Sequence, residues 1–131
     1  MLCAGSGETM RELEHQEQAA LFRWAKIFGE SKYPGLHLMH ASANGGKRNI
    51  RVAMKLKASG VKAGVPDIFL PVPRNTGAIW KAGLYIEMKS PGNKPTAIQK
   101  QWHEDLRAQG YRVVVCYSWQ EAVEVIKEYY A

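Results

Sequence analysis

Two short stretches of the sequence combine apolar, strand-like residues with charged groups that could do chemistry together. "GVPDIFL" (64–70) carries Asp67, and "LYIEMKS" (84–90) carries Glu87 and Lys89. Side chains alternate between the faces of a strand, so Glu87 and Lys89 point the same way, roughly 6–7 Å apart along the backbone. If the two stretches pair as neighbouring strands, Asp67 lies near Glu87.

Two carboxylates held this close repel each other unless a cation lies between them. Oxygen ligands from carboxylates and a backbone carbonyl suit Mg²⁺ or Mn²⁺, whereas Zn²⁺ prefers His and Cys. An ammonium group such as that of Lys89 could hold an attacking water there and stabilise a negative transition state. The structural alternative is a salt bridge between Glu87 and Lys89 on an exposed edge, with Asp67 as a turn residue after Pro66.

A third carboxylate is predicted to face the same core from the first helix. Residues 9–28 are predicted to form a helix that Thr9 caps. Its apolar residues follow the spacing of one buried face: Leu13, Ala20, Leu21, Trp24, Ile27 and Phe28. At ~100° per residue, Glu17 falls in the middle of that face, whereas Glu12 and Glu14 fall toward its edges or outside it. A carboxylate in an apolar stripe is costly unless it is paired or binds a cation.

Positive charge is concentrated in one part of the chain. The formal net charge is +6, and residues 44–62 contain cations and no acid. These cations are Lys47, Arg48, Arg51, Lys55, Lys57 and Lys62. Because this segment accounts for the whole net charge, it predicts a surface that binds a polyanion such as nucleic acid. A solvated helix face with loop lysines is the alternative.

The order of elements predicts an α/β protein with a mixed central sheet and helices on both sides. Elements follow one another as α, β, α, β, β, α, β, α, and Asp67 and Glu87 lie on the adjacent strand pair. "YRVVVCYS" (111–118) is almost continuously apolar, which predicts a central strand covered on both faces. A helix over 96–109 is predicted to direct three residues inward: Ile98, Trp102 and Leu106.

Length and composition predict a flexible tail at residues 1–8 and a single domain over 9–131. No apolar run approaches the ~20 residues that span a bilayer. The start, "MLCAGSGETM", lacks the basic and apolar regions of a signal peptide. Cys3 and Cys116 form no CxxC motif, and Cys116 lies in an apolar run, as expected of a reduced thiol in an intracellular protein.

"PD" at 66–67 and "EMK" at 87–89 resemble the motif of the PD-(D/E)xK nucleases. Five segments along residues 13–118 resemble, in order, the VRR-NUC (virus-type replication-repair nuclease) domain of that superfamily, in its stand-alone phage and bacterial form. They are "EHQEQAALFRWA", "NGGKR", "GVKAGVPDIFL", "GLYIEMKS" and "TAIQKQWHEDLRAQGYRV". The resemblance implies a restriction-endonuclease-like core that hydrolyses DNA phosphodiesters with Mg²⁺, for which Mn²⁺ can substitute.

The resemblance also implies roles for individual acidic and basic residues. Asp67 and Glu87 are the expected metal ligands, and the Met88 carbonyl completes the shell. Glu17 matches the first-helix acid that helps to bind metal. Lys89 is the expected catalytic lysine.

Further matches concern the DNA side of the site. Gln99, in "TAIQKQW", matches the family glutamine that follows the ExK strand and can reach the site or a phosphate. Asn44 and Arg48 match the "NGG-R" segment. Together with the neighbouring cations, they make up the residues expected to bind DNA: Asn44, Lys47, Arg48, Arg51 and Lys55.

From these features we expect a structure-selective DNA endonuclease that resembles Holliday-junction resolvases. It would serve repair, recombination or replication in the cytoplasm of a bacterium or a phage-infected host. One active site cannot cut two strands at once, so we expect a homodimer that acts on branched DNA. The alternatives are a non-catalytic DNA-binding module and a nuclease that cuts flaps or acts as a restriction-type enzyme.

Overall fold

The computed structural model describes residues 7–42 and 50–131. The helices are α1 (Gly7–Trp24), α2 (Ile50–Ala58), α3 (Ala97–Ala108) and α4 (Trp119–Tyr130). The strands are β1 (His40–Ala41), β2 (Ile68–Leu70), β3 (Arg74–Thr76), β4 (Ile79–Lys81), β5 (Leu84–Met88) and β6 (Arg112–Cys116). A π-helical turn (Ala25–Gly29) continues α1, and a 3-10 turn (Leu36–Leu38) precedes β1. Of the expected tail, residues 7–8 already belong to α1, and the rest lies outside the described residues.

A mixed sheet in the order β1-β2-β5-β6 forms the centre of the structure. Strands β1, β2 and β5 pair antiparallel, whereas β5 and β6 pair parallel. The predicted pairing of the two charged strands is confirmed, with Ile68 opposite Ile86. Between β2 and β5 the chain forms a separate hairpin of β3 and β4, where the sequence predicted only a turn.

The apolar strand β6 lies at one end of the described sheet, beside β5. The central position predicted for it is therefore wrong. Both α3 and α4 contact β6, so helices cover the strand although it has a neighbour on one side only. A continuous apolar run indicates that the faces of a strand are covered, which does not fix its lateral position in the sheet.

Helices α1 and α4 pack against one face of the sheet and form the main core with it. Leu84 and Ile86 of β5 are at most 1% exposed, and they belong to one cluster with Leu21 of α1 and Ile126 of α4. Because side chains alternate along a strand, the intervening residues of β5 point to the opposite face, on which α3 lies. The predicted helix layers on both sides are confirmed.

Helix α1 turns a different face inward from the one that the sequence predicted. Three residues predicted to be buried are exposed: Leu13 (45%), Ile27 (63%) and Phe28 (64%). Leu21 and Ala25 are buried instead. The prediction for Ile27 and Phe28 assumed a period of 3.6 residues per turn, and the π-helical turn at Ala25–Gly29 breaks this period. Glu14 lies two turns before Leu21, so the buried line brings Glu14 toward the sheet.

Gly64 holds the segment before β2 close to α3. Its φ of +95° lies in the left-handed region, and an added Cβ would come within 2.4 Å of Ile98 Cγ2 and 2.7 Å of Trp102 Cδ1. The neighbouring Ala63 carbonyl accepts a 3.0 Å hydrogen bond from Trp102 Nε1. This contact fixes where the chain enters β2 and therefore where Asp67 lies.

We expect Gly64→Ala to lower the free energy of unfolding by about 1–3 kcal/mol, because a side chain there is strained and clashes with α3. Urea denaturation at pH 7 measures the change. Gly60→Ala is the matched control, since Gly60 also has a positive φ of +104° but an added Cβ meets nothing within 4 Å. If Gly64→Ala lowers the free energy of unfolding no more than Gly60→Ala does, close packing of Gly64 against α3 is unimportant for stability.

Candidate active site

Asp67 lies immediately before β2, at the edge of the sheet where β5 ends. Continuing the β2–β5 register by one residue places Asp67 opposite Glu87. The Asp67 Oδ2 atom accepts a 2.8 Å hydrogen bond from Met88 N–H, and the Asp67 carbonyl accepts a 2.7 Å bond from Ser42 N–H. The Met88 N–H therefore holds the Asp67 carboxylate beside Glu87, and the Ser42 N–H holds the Asp67 backbone.

Glu87 is a buried carboxyl group, 1% exposed. Burial, followed by a hydrogen bond with Asp67 and the charge of Asp67, raises the pKa of Glu87 from 4.5 to about 9. The charge of Glu14 adds to this rise, and the charge of Lys89 opposes it. In the absence of a cation, the Glu87 carboxyl group therefore keeps a proton at neutral pH.

Lys89 follows β5 directly and is only 8% exposed. Its N–H donates a 2.9 Å hydrogen bond to the Cys116 carbonyl, which extends the pairing with β6 by one residue. The Lys89 ammonium acts on Glu87 and His103 through its charge, but it forms no ion pair with a residue that the structure describes. The exposed Glu87–Lys89 salt bridge of the structural alternative is thus not formed.

Glu14 ties α1 to the loop that follows Lys89. Its Oε2 atom accepts hydrogen bonds from Ser90 N–H at 3.1 Å, from Ser90 Oγ at 3.3 Å and from Asn93 Nδ2 at 3.3 Å. The Glu14 charge also contributes to the raised pKa of Glu87. This first-helix acid therefore acts electrostatically on the centre of the site.

Glu17, which the sequence assigned to the metal site, has a different partner. Its Oε1 atom accepts a 2.9 Å hydrogen bond from Trp119 N–H, at the first residue of α4. A carboxylate at a helix N-terminus satisfies a backbone donor and interacts favourably with the helix dipole. Glu17 is therefore bonded to the start of α4. Glu14 is the acid of α1 whose charge acts on Glu87.

Gln99 closes the first turn of α3 through a capping box. Thr96 N–H donates to Gln99 Oε1 at 2.8 Å, and Gln99 N–H donates to Thr96 Oγ1 at 3.2 Å. Gln99 also lines a cleft that ends at Asp67. Its carbonyl oxygen thus has a structural use, and its amide nitrogen forms no hydrogen bond with a described residue.

The cleft beside Asp67 measures about 440 Å³ and lies between α2 and the start of α3. Its walls are mainly apolar: Ile50, Ala53, Met54, Leu56, Val61, Ala63, Gly64 and Val65. Lys57 also lines it, and Arg51 and Lys55 are exposed on the same helix. The other residues predicted to bind DNA lie outside the described residues: Asn44, Lys47 and Arg48.

His103 is a site residue that the sequence did not single out. It is 3% exposed and lies one turn after Gln99 on the inward face of α3. Its Nε2 atom lies 3.4 Å from Glu87 Oε1, within hydrogen-bonding distance. Burial, followed by the charges of Arg107 and Lys89, lowers the pKa of His103, so the imidazole is neutral at pH 7.

The donor set at Asp67 and Glu87 fits a hard divalent cation that keeps part of its water shell. Two carboxyl groups face each other here, and a divalent cation between them would offset their mutual repulsion. In residues 7–42 and 50–131, no three His, Cys, Asp or Glu side chains are arranged to hold a metal ion by themselves. Mg²⁺ does not need such a cage, because one or two carboxylates and substrate phosphates commonly hold it.

Comparison with known proteins decides the family. The family model described as the VRR-NUC domain matches residues 9–120. The chain belongs to the VRR-NUC family. A solved structure described as a "VRR_NUC domain protein" is 31% identical and superposes with a TM-score of 0.71, covering 88% of this chain and 86% of that chain. No curated protein matches the chain.

Membership of the VRR-NUC family gives the class of activity. VRR-NUC domains are nucleases, so Asp67, Glu87 and Lys89 lie in a nuclease domain with DNA as its substrate class. The predicted fold class, α/β with a mixed sheet flanked by helices, is confirmed. Among the helices that the structure describes, none has the length and apolar character needed to cross a bilayer.

Proposed function

We propose that this VRR-NUC domain is a Mg²⁺-dependent endonuclease that cuts branched DNA, such as a four-way junction, in repair, recombination or replication. The observation that carries the proposal is the paired Asp67 and Glu87 carboxyl groups, with the buried Lys89 next on the same face of the chain. Mn²⁺ is expected to substitute, because both ions accept the oxygen ligands that this site offers.

The residues of the site have separate tasks in this reaction. Asp67, Glu87 and the Met88 carbonyl would hold the cation, which when bound polarises the scissile phosphate and acidifies water. Lys89 positions the attacking water and stabilises the negative charge that develops on the phosphate. The water oxygen bonds to phosphorus and gives up a proton to solvent, while the P–O3′ bond breaks and O3′ leaves as a hydroxyl by taking up a proton from solvent. The phosphate stays on the 5′ end.

Helix α2 is the element proposed to bind the DNA backbone. Arg51 and Lys55 are exposed on it, and Lys57 lines the cleft that ends at Asp67. Such cations contact phosphates without reading sequence, so they position the strand and make binding dependent on salt. The apolar cleft walls suit the sugar and base faces of a strand that enters the site.

Cutting a junction symmetrically requires two active sites related by a two-fold axis, because one chain supplies one site. We therefore expect a homodimer, with twice the 14.7 kDa mass of the chain in light scattering. Duplex, single-stranded, flap, splayed-arm and four-way-junction DNA, each with Mg²⁺ or Mn²⁺, test the substrate. Paired nicks across the junction are expected. Preferred cutting of flaps or plain duplex would assign another nuclease type, and binding without cutting would identify a non-catalytic module.

Glu14 and Glu17 provide a matched test of the first-helix acid. We propose that Glu14 has this role, so Glu14→Gln should lower single-turnover cleavage about 10–100-fold by removing the charge beside Glu87. Glu17→Gln weakens the bond to Trp119 N–H, so it should cost about 1 kcal/mol of stability and leave cleavage nearly unchanged. An equal or larger loss of cleavage in Glu17→Gln would return the role to Glu17.

A further inference from the structure

His103 is a buried polar residue to which the proposed chemistry gives no task. The residue is 3% exposed, and its Nε2 atom faces Glu87 Oε1 at 3.4 Å, where Glu87 itself is 1% exposed. Buried polar groups in proteins are almost always hydrogen-bonded, and this pair gives each partner a bond. The contact joins the middle of α3 to the end of β5, next to the acidic pair.

We propose that His103 is a positioning residue that holds the Glu87 carboxylate in the orientation that binds the divalent cation. This inference rests on the proposed function, because Glu87 has to be oriented for a cation only in a metal-dependent site. In this role, His103 carries a proton on Nε2 and donates it to Glu87 Oε1, from which Nε2 lies 3.4 Å away. Asp67 faces Glu87 from the residue before β2, so the Glu87 carboxyl group lies between two side chains.

Helix α3 is well placed to do this because it also fixes the approach to Asp67. Trp102, the residue before His103, donates a 3.0 Å hydrogen bond to the Ala63 carbonyl in the segment that leads to Asp67. One helix therefore sets the positions of both facing carboxyl groups. Partners that orient metal ligands typically change metal affinity or activity about 10–100-fold when they are lost.

Two substitutions separate hydrogen bonding from packing. His103→Gln keeps an N–H donor on a side chain of similar reach, whereas His103→Leu fills the space without a donor. Mn²⁺ is titrated into the full chain without DNA, and the heat of binding is measured. We expect His103→Leu to weaken Mn²⁺ binding about 10–100-fold and His103→Gln to weaken it by no more than about threefold. His37→Ala, at an exposed histidine, is the control and should bind as the wild type does.

Thermal unfolding without metal establishes that each variant is folded, and DNA cleavage is measured on the same preparations. Wild-type Mn²⁺ affinity in His103→Leu would overturn the inference. Equally weakened Mn²⁺ binding in folded His103→Leu and His103→Gln would also overturn the inference, because side-chain packing and not the N–H donor would then determine the Mn²⁺ affinity. In a third outcome, the wild type binds Mn²⁺ and the two variants differ in affinity as expected, but the wild type cuts no DNA. That outcome would overturn the proposed function and leave the positioning role in place.

Discussion

Lys89→Met should lower DNA cleavage by about 10²–10³-fold or more while leaving DNA binding almost unchanged. The Lys89 ammonium is a positive charge beside two facing carboxyl groups, and its loss removes the group that positions water and stabilises the transition state. Methionine has nearly the same length and is apolar, and the ammonium makes no ion pair with a described residue. The fold should therefore tolerate the change.

Single-turnover cleavage in Mg²⁺ measures the loss, and fluorescence anisotropy with labelled DNA in Ca²⁺ measures binding. Lys127→Ala on α4 is the control, because Lys127 is exposed and, among the described residues, forms an ion pair only with its helix neighbour Glu124. Both substitutions remove one positive charge from the chain. Cleavage by Lys89→Met at the rate of the Lys127→Ala control would end the assignment of Lys89 as the catalytic lysine.

Glu87→Gln should change how stability depends on pH in the metal-free protein. Folding raises the pKa of Glu87 from 4.5 to about 9, so between these values the folded state binds a proton that the unfolded state has lost. Stability therefore falls as pH rises through this window, by up to ~1.4 kcal/mol per pH unit from this group. Glutamine does not titrate, so the variant should lack this part of the slope.

Urea denaturation of the metal-free wild type and Glu87→Gln at pH 5, 6, 7 and 8 measures the two slopes. The wild type should lose stability relative to the variant at each step up in pH, and saturating Mg²⁺ should reduce the difference by replacing the proton on Glu87. Glu104→Gln, at an exposed position on α3, should follow the wild type. Parallel curves for the wild type and Glu87→Gln would mean that the Glu87 carboxyl group is not held protonated by its surroundings.

The facing carboxyl groups could be predicted because strand geometry leaves few alternatives. Alternation on "LYIEMKS" fixes the face of Glu87, and antiparallel pairing with "GVPDIFL" then brings Asp67 opposite it. The helix predicted over 96–109 also follows from local sequence, and its start is fixed by Thr96 and Gln99, which form a capping box. Local rules of this kind need no knowledge of how the elements pack together.

The residues that were missed depend on packing between elements. The prediction assigned the inward face of α1 from its apolar residues, yet Leu13 and Phe28 are exposed and Glu14 turns toward the loop after β5. On α3, Ile98 is 57% exposed while His103 is buried. Hydrophobic periodicity assigns buried positions to apolar residues, whereas functional sites place some polar residues at buried positions. A periodic pattern therefore predicts the wrong exposure for those polar residues. The one signal for His103 was its spacing of four residues from Gln99.

The central claim is that Asp67 and Glu87 together bind a divalent cation, and crystals soaked in Mn²⁺ test it most directly. An anomalous difference map should show a peak between the two carboxyl groups at about 2.0–2.3 Å from their nearest oxygens, close to the distances of Mg²⁺ ligands. The peak should be absent in crystals of Asp67→Asn. A fully soaked wild-type crystal with no peak there, or with its peak at a different group of residues, would contradict the account.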